Sequence, residues 1–352
     1  MKQKLLIIDK HQFGYLTDAY KWCQYLRDDY DIEFITANVG DKIINLPGVK
    51  VHYVSFELPR LLRAFAFVLR ALIGIYLFNG KILVEYFQGC SILKRLCPWK
   101  KMIVDVRTLS VNPDPKHRMA YNTRLSRDCN YFDVVSVISQ GVARQIGRKN
   151  VSILPLGSDI ISNHPKTYTG KIELLYVGTL RWRNIEHTIE GFKIFTNKYP
   201  TIKISYRIIG DGVPGQLDTL KQLAVNLGVA DKITFHGFIS LTELKPFFDL
   251  SNVGVSFIPI TEYYDHQPPT KTFEYILSGL YCIATATSAN KELIDMENGC
   301  LIQDTAQGFA DGIEQFINCC QNIDENRLRN TLSHLTWTNI VKKQLTYILN
   351  NI

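Results

Sequence analysis

Lys271 and Glu274 stand three residues apart in the stretch Gln267-Pro-Pro-Thr-Lys-Thr-Phe-Glu-Tyr-Ile-Leu-Ser-Gly279-Leu-Tyr-Cys-Ile-Ala-Thr285. Pro268 and Pro269 forbid helix before them, and Thr270 suits an N-cap. A helix of under two turns is therefore predicted over 271–277. Gly279 is its stop, and a short buried strand follows over 281–285. The three-residue spacing puts the lysine and the glutamate on one helix face, at the N-terminal end. The partial positive charge of that end favours a bound phosphate. A carboxylate one turn further in can accept hydrogen bonds from sugar hydroxyls. Taken alone, the same residues also describe an exposed helix with an ordinary Lys/Glu pair.

Other residues offer chemistry more weakly. Asp105 and Arg107 close a predicted strand over 102–106. Charged groups at the carboxyl end of a parallel strand reach the crevice where such sheets bind ligands. An Asp/Arg pair bracing a loop is the competing reading. Residues 210–215 spell GxGxxG after a strand, but the acid that should end the next strand is Asp231, which precedes it. Asp29-Tyr30-Asp31 spells DxD at a helix end and reads as a solvated turn. His236 and His266 fall on loops. The sequence contains no HExxH, GxxxxGK[ST], GxSxG or Cys/His ligand cluster, which counts against a zinc protease, a P-loop NTPase or a serine hydrolase.

The elements that must position these residues alternate regularly. Short apolar runs at 5–8, 32–36, 49–54, 82–86, 102–106, 134–138 and 151–154 read as buried parallel strands with helices between them. After a Ser/Thr/Asn/Pro/Gly-rich linker at 158–170, the rhythm repeats at 172–177, 204–209, 233–235, 253–258, 281–285 and 298–302. This is the βαβ pattern of doubly wound sheets, and 352 residues suffice for two domains. Hydrophobic content of 46% and charged content of 21% are those of a globular protein. A net charge of +7 suits anionic partners. Eight scattered cysteines without a CxxC pair read as reduced thiols. The apolar run at the N-terminus is too short for a signal peptide. Residues 61–78 are the most apolar segment but contain Arg63 and Arg70. They read either as a buried helix or as one lying in a membrane interface, with Arg60, Arg63 and Arg70 near lipid headgroups.

The order of motifs is more specific than any one of them. Tyr176-Val-Gly-Thr-Leu180, Arg183, Glu190-Gly-Phe192, Ile209-Gly-Asp-Gly212, Ile233-Thr-Phe-His-Gly-Phe238 and Pro269-Thr-Lys-Thr-Phe-Glu274 occur in sequence. This resembles the retaining glycosyltransferases of family 4 (glycosyl transferases group 1). The resemblance covers the second half. In the first half it rests on the strand rhythm, on Asp105-Val-Arg107 and on Leu154-Pro-Leu-Gly-Ser-Asp159. It implies an α/β protein of GT-B fold: two Rossmann-like, doubly wound parallel-sheet domains facing across a cleft. Residues 1–160 would be the acceptor-binding domain and 161–335 the nucleotide-sugar domain. Residues 336–352 would be a helix packing back on the first.

By the same resemblance Arg183 holds the donor diphosphate, Gly178 lets backbone approach it, and Gly237 and Phe238 contact the base. Glu274 binds the ribose, with Lys271 on the same helix end. Where the family has a further glutamate, eight residues before Glu274, this chain has His266, with Asp265 beside it. Arg107 falls near a family position by the transferred sugar. The catalytic candidates are thus Arg107, Asp105 and His266. The implied reaction moves a sugar, with retention, from a UDP- or GDP-sugar to a polysaccharide or lipid-linked saccharide, as in cell-surface polysaccharide synthesis. It would need no cofactor, no metal and no nucleic acid. The place would be the cytoplasm or the inner face of the cell membrane. Two other classes fit the pattern: an NAD-dependent oxidoreductase with two nucleotide-binding domains, and a non-catalytic sugar-nucleotide-binding protein of the same fold.

Overall fold

A computed structural model describes residues 2–55, 57 and 59–352. The chain divides into two units, Met1–Leu156 with Trp337–Ile352, and Gly157–Thr336.

The first unit runs β1 (Gln3–Ile8), α1 (Thr17–Leu26), β2 (Tyr30–Ala37), β3 (Val49–Val54), α2 (Arg60–Leu77), β4 (Lys81–Glu85), α3 (Ser91–Leu96), β5 (Ile103–Val106), α4 (Pro115–Cys129), β6 (Val134–Val137), α5 (Gln140–Ile146) and β7 (Val151–Ile153). Its seven strands lie parallel in the order β3-β2-β1-β4-β5-β6-β7. The order reverses between β1 and β4, which makes their carboxyl ends the place where such a sheet opens a crevice. The strands are short runs of Val, Ile and Leu because helices cover both faces of the sheet. Leu5 to Ile8 and Ile82 to Val84 are almost wholly buried. Ser139 caps α5 by accepting the Val142 N–H at 3.3 Å.

The segment from Trp337 belongs to this unit. It is helical throughout, with a π-helical stretch over Ile340–Leu345, and it buries Trp337, Ile340, Val341, Leu345 and Leu349. Lys81 Nζ donates to the Leu349 carbonyl at 2.6 Å, and Lys342 pairs with Asp29. Asp29 lies in an exposed turn after α1, as the sequence suggested, whereas Tyr30 and Asp31 already belong to β2.

The second unit runs β8 (Lys171–Val177), α6 (Ile185–Lys198), β9 (Lys203–Ile209), α7 (Gln216–Asn226), β10 (Ile233–Gly237), α8 (Lys245–Leu250), β11 (Val253–Ser256), α9 (Thr270–Leu277), β12 (Tyr281–Thr285), α10 (Ser288–Lys291), β13 (Gly299–Ile302), α11 (Ala306–Cys319) and α12 (Glu325–Thr331). Its six parallel strands follow the order β10-β9-β8-β11-β12-β13, so the switch point lies between β8 and β11.

Residues 158–170 look like a linker in the sequence, yet the second unit holds them. Ser278 Oγ accepts the Ile161 N–H at 3.1 Å, Ser162 Oγ donates to Asp249 at 2.5 Å, and Tyr168 OH donates to the Gly279 carbonyl at 2.7 Å. The polar residues that suggested a loop supply the bonds that anchor it. All eight cysteines are free thiols, and six are buried. Among the described residues no helix is long and apolar enough to cross a membrane.

Candidate functional site

The helix α9 is fixed by its own sequence. Tyr275 is fully buried, and its hydroxyl accepts the Val177 N–H at 2.7 Å. Its ring lies where a Cβ on Gly254 would stand, so only glycine in β11 lets the helix come this close. Thr272 Oγ1 meets Ser256 Oγ at 2.7 Å and Asn290 Oδ1 at 3.1 Å. Together these contacts hold the start of α9 beside the carboxyl end of β8, at the switch point. The helix begins at Thr270, one residue earlier than the sequence suggested. Pro269 takes the N-cap position, and no side chain caps the end. The helix end therefore keeps its partial positive charge without a side-chain oxygen against it.

Lys271 turns inward from that end. Its Nζ lies 3.8 Å from the centroid of the Tyr176 ring, is shut off from solvent and has no hydrogen-bond partner. Gly178 sits at φ +142° after β8, and a Cβ there would stand 2.9 Å from Nζ. Burial, helped by the charge of Arg183, pushes the Lys271 ammonium down to about 7, with Glu274 acting the other way. Burial also pushes the Glu274 carboxyl up to about 7, against the pull of Lys271. Arg183 lies over the Tyr264 ring, 4.4 Å from its centroid, and donates to the Trp182 carbonyl at 3.3 Å. Two cations thus share one neighbourhood, seated on aromatic faces. An ammonium without a partner is costly to bury, and an anion is the ligand that would relieve it.

The other donor-side candidates lie on neighbouring strand ends. Gly237 closes β10, and its carbonyl accepts the Gly210 N–H at 2.8 Å. Phe238 follows with 74% of its surface exposed, free to stack on a planar ring. His266 is half-buried, with Nε2 3.8 Å from Asp265 Oδ2. Asp265 itself is engaged, accepting the Ser288 N–H at 2.8 Å and its hydroxyl at 2.5 Å. The GxGxxG loop does form a turn into α7, but the hollow beside it is lined by Glu186 and Glu190. Two carboxylates there repel a pyrophosphate, which argues against a dinucleotide at that helix.

In the first unit, Asp105 and Arg107 are found inside a closed network. Asp105 is fully buried and accepts from Ser136 Oγ at 2.5 Å. Arg107 is 8% exposed, donates to the Leu154 carbonyl at 2.7 Å and pairs with Asp18. Burial pushes the Asp105 carboxyl up to about 6, although Arg107 and Ser136 favour its charged form. This geometry is that of a brace between β5, α1 and the chain after β7.

Sequence reasoning missed several residues. Tyr176 stands in a quoted motif but reads as strand core rather than as the seat of a cation, and Tyr264, in the loop before α9, gives no signal. Asp9, His11 and Glu85 come together at the first switch point, with ligand atoms within 4.8 Å of one another; among the described residues this is the one group able to hold a metal ion. Asp9 Oδ1 accepts from the His11 backbone N–H and lies 2.9 Å from its Nδ1. Burial and the Asp9 charge raise the Glu85 carboxyl well above its usual range, so a proton lets the two acids sit together. The signal was available: both acids close strands beside the reversal of strand order.

Residues 171–319 match the family model described as glycosyl transferases group 1. Comparison with curated protein sequences gives no match. Among solved structures the chain is similar to sucrose-phosphate synthase from Thermosynechococcus elongatus, with a TM-score of 0.76 at 16% identity over 99% of each chain. It is similar to HepE of Anabaena in complex with UDP and glucose, with a TM-score of 0.73 at 14% identity over 99% of this chain and 100% of that one. The lipopolysaccharide outer core galactosyltransferase WaaB, in its apo form, gives a TM-score of 0.73 at 15% identity over 99% and 100%. At such identities the likeness speaks to fold. The second unit carries a glycosyl transferases group 1 domain, in a chain built as two Rossmann-like parallel-sheet units of GT-B type.

Proposed function

We propose that the protein is a retaining glycosyltransferase of family 4. It takes a hexosyl or related sugar from a UDP- or GDP-sugar and passes it to a polysaccharide or lipid-linked saccharide. The setting is cell-surface polysaccharide synthesis at the inner face of the membrane. One observation carries the reading: the partnerless Lys271 Nζ beside Arg183, at the uncapped start of α9. A nucleoside diphosphate is the leaving group of such a reaction, and it fits that position. HepE was solved with UDP and with UDP-glucose, which supports this choice of ligand class.

In this reading Phe238 and Gly237 take the base, Glu274 the ribose hydroxyls, and Arg183 and Lys271 the diphosphate, approached by the backbone at Gly178. The acceptor hydroxyl oxygen bonds to the anomeric carbon on the face the phosphate leaves. The carbon–phosphate-oxygen bond breaks, and the departing phosphate oxygen takes the hydroxyl proton. The two cations and the helix end stabilise charge as it develops on the diphosphate, which is the work a divalent ion would do elsewhere. Turnover is therefore expected to persist in EDTA; its loss would turn attention to Asp9, His11 and Glu85. His266 contacts the transferred sugar. Asp105 and Arg107, sealed in their network, act as positioning residues for the acceptor side.

The test is a thermal-shift screen against UDP-, GDP-, ADP- and dTDP-sugars, with NADH alongside. One sugar nucleotide should raise the melting temperature, since a ligand of the folded state stabilises it. A response to NADH alone would overturn the assignment. Binding without sugar transfer to any saccharide would leave only the non-catalytic alternative.

A further inference from the structure

The helix α2 is apolar on two opposite faces. Phe67, Ala71 and Ile75 are buried toward the first sheet. Leu62, Phe65, Leu69, Ile73 and Tyr76, spaced three or four apart, form an outward stripe, with Phe65 69% exposed. The stripe continues beyond the helix: the Trp99 ring stands edge-on to Tyr76 at 6.3 Å and is itself 62% exposed. A contiguous apolar surface of this kind marks an interaction site.

Charge identifies what covers it. Residues 59–104 contain eight Lys/Arg and one Asp/Glu, a formal charge of +7, while the rest of the chain holds 32 of each and is neutral. The whole positive excess of the protein thus lies in the segment that carries α2 and Trp99. Several of its cations bond to neutral carbonyls, Arg63 to Asn38, Lys81 to Leu349 and Lys100 to Phe78, while Lys94 is buried and pairs with Asp133 at 2.7 Å. Arg63 and Arg70 do not reach outward as the sequence suggested. Arg63 donates to that Asn38 carbonyl, and Arg70 Nη2 lies 2.9 Å from His52 Nδ1. The Arg60 side chain lies outside the described residues. A second copy of the chain is a poor occupant, because it would bring the same basic segment against its own kind. An anionic lipid surface answers both features, taking the apolar stripe into its boundary layer and the aromatic pair at headgroup level.

We propose that the α2 stripe, with Tyr76 and Trp99, is a docking face for anionic lipid bilayer. The inference stands apart from the donor site, since binding needs no nucleotide. The full chain should be sedimented with phosphatidylcholine vesicles containing 30% phosphatidylglycerol, and with pure phosphatidylcholine, at low and high salt. Binding at least tenfold tighter to the anionic vesicles is expected, weakened by salt. The double variant Phe65→Asp, Leu69→Asp should lose it at least tenfold, with an unchanged melting temperature and an unchanged donor thermal shift. Failure to bind anionic vesicles at low salt, or equal binding by the double variant, would overturn the proposal. So would a stable dimer in light scattering that the double variant dissolves.

Discussion

At the residue scale the account rests on Lys271. Its folded value of about 7 lies below the ordinary 10.5, so between those limits the unfolded chain binds the extra proton. The sign follows: this residue adds stability as pH rises from 7 to 10.5, and its full penalty is present below 7. Glu274 runs the other way. Its value is raised from 4.5 to about 7, so the folded chain holds the extra proton and the contribution declines as pH rises through that window. A bound diphosphate draws Lys271 back to its charged form. Nucleotide binding at pH 8 is therefore expected to take up close to one proton, read by calorimetry in buffers of different ionisation enthalpy. Its affinity should fall as pH climbs above 7, and proton-neutral binding at pH 8 would contradict the placement of the ammonium. Glu274→Gln should weaken donor binding by about 1–3 kcal/mol, the scale for losing a charged hydrogen-bond partner. Arg183→Ala should cut turnover strongly and leave the melting temperature nearly unchanged, since the residue is half-buried and rests on a ring and a carbonyl. The Lys271/Glu274 pair was legible from its spacing after two prolines. The aromatic rings under the cations were not, because a one-dimensional pattern does not separate a tyrosine that seats a lysine from one that fills a core.

At the element scale the donor residues are only as well placed as α9. Gly254 admits the Tyr275 ring, and Tyr275 ties the helix to β8. Gly254→Ala should cost about 1–3 kcal/mol of stability, the scale for overpacking a filled core. It should also weaken nucleotide affinity although it touches no ligand. Chemical denaturation and calorimetry on the same variant check both, and a stability loss without a binding loss would mean that α9 is held by other contacts. The strands were legible because a parallel sheet covered on both faces demands short runs of Val, Ile and Leu. The helices α3, α10 and α12 were not, because four to seven residues give too few turns for a periodic signal. Residues 158–170 were misjudged for a related reason. Serine and threonine serve loops and anchors equally, and only the partners, Ser278 and Asp249, decide between them.

At the scale of the whole molecule, the final segment from Trp337 completes the first unit. Its six buried apolar side chains, Ile348 among them, are worth roughly 1.5–3 kcal/mol each, together comparable to the stability of a whole domain. Deleting residues 337–352 should therefore unfold the first unit, seen as loss of its part of the calorimetric transition, with the second unit still melting cooperatively. A deletion variant with both parts intact would show that the segment is dispensable. The repeat of two βαβ series could be read from the sequence. The lipid-facing stripe could be read only in part, because apolar residues on both sides of α2 look alike until the sheet has claimed one of them.

The central claim is that Lys271 is kept for an anion at the expense of the unliganded fold. The direct measurement is a melting curve of Lys271→Met with and without the sugar nucleotide that stabilises the parent protein. The account predicts a higher melting temperature for the unliganded variant, because a partnerless buried ammonium is removed, and loss of the shift on adding ligand. A lower melting temperature together with an undiminished ligand shift would contradict it.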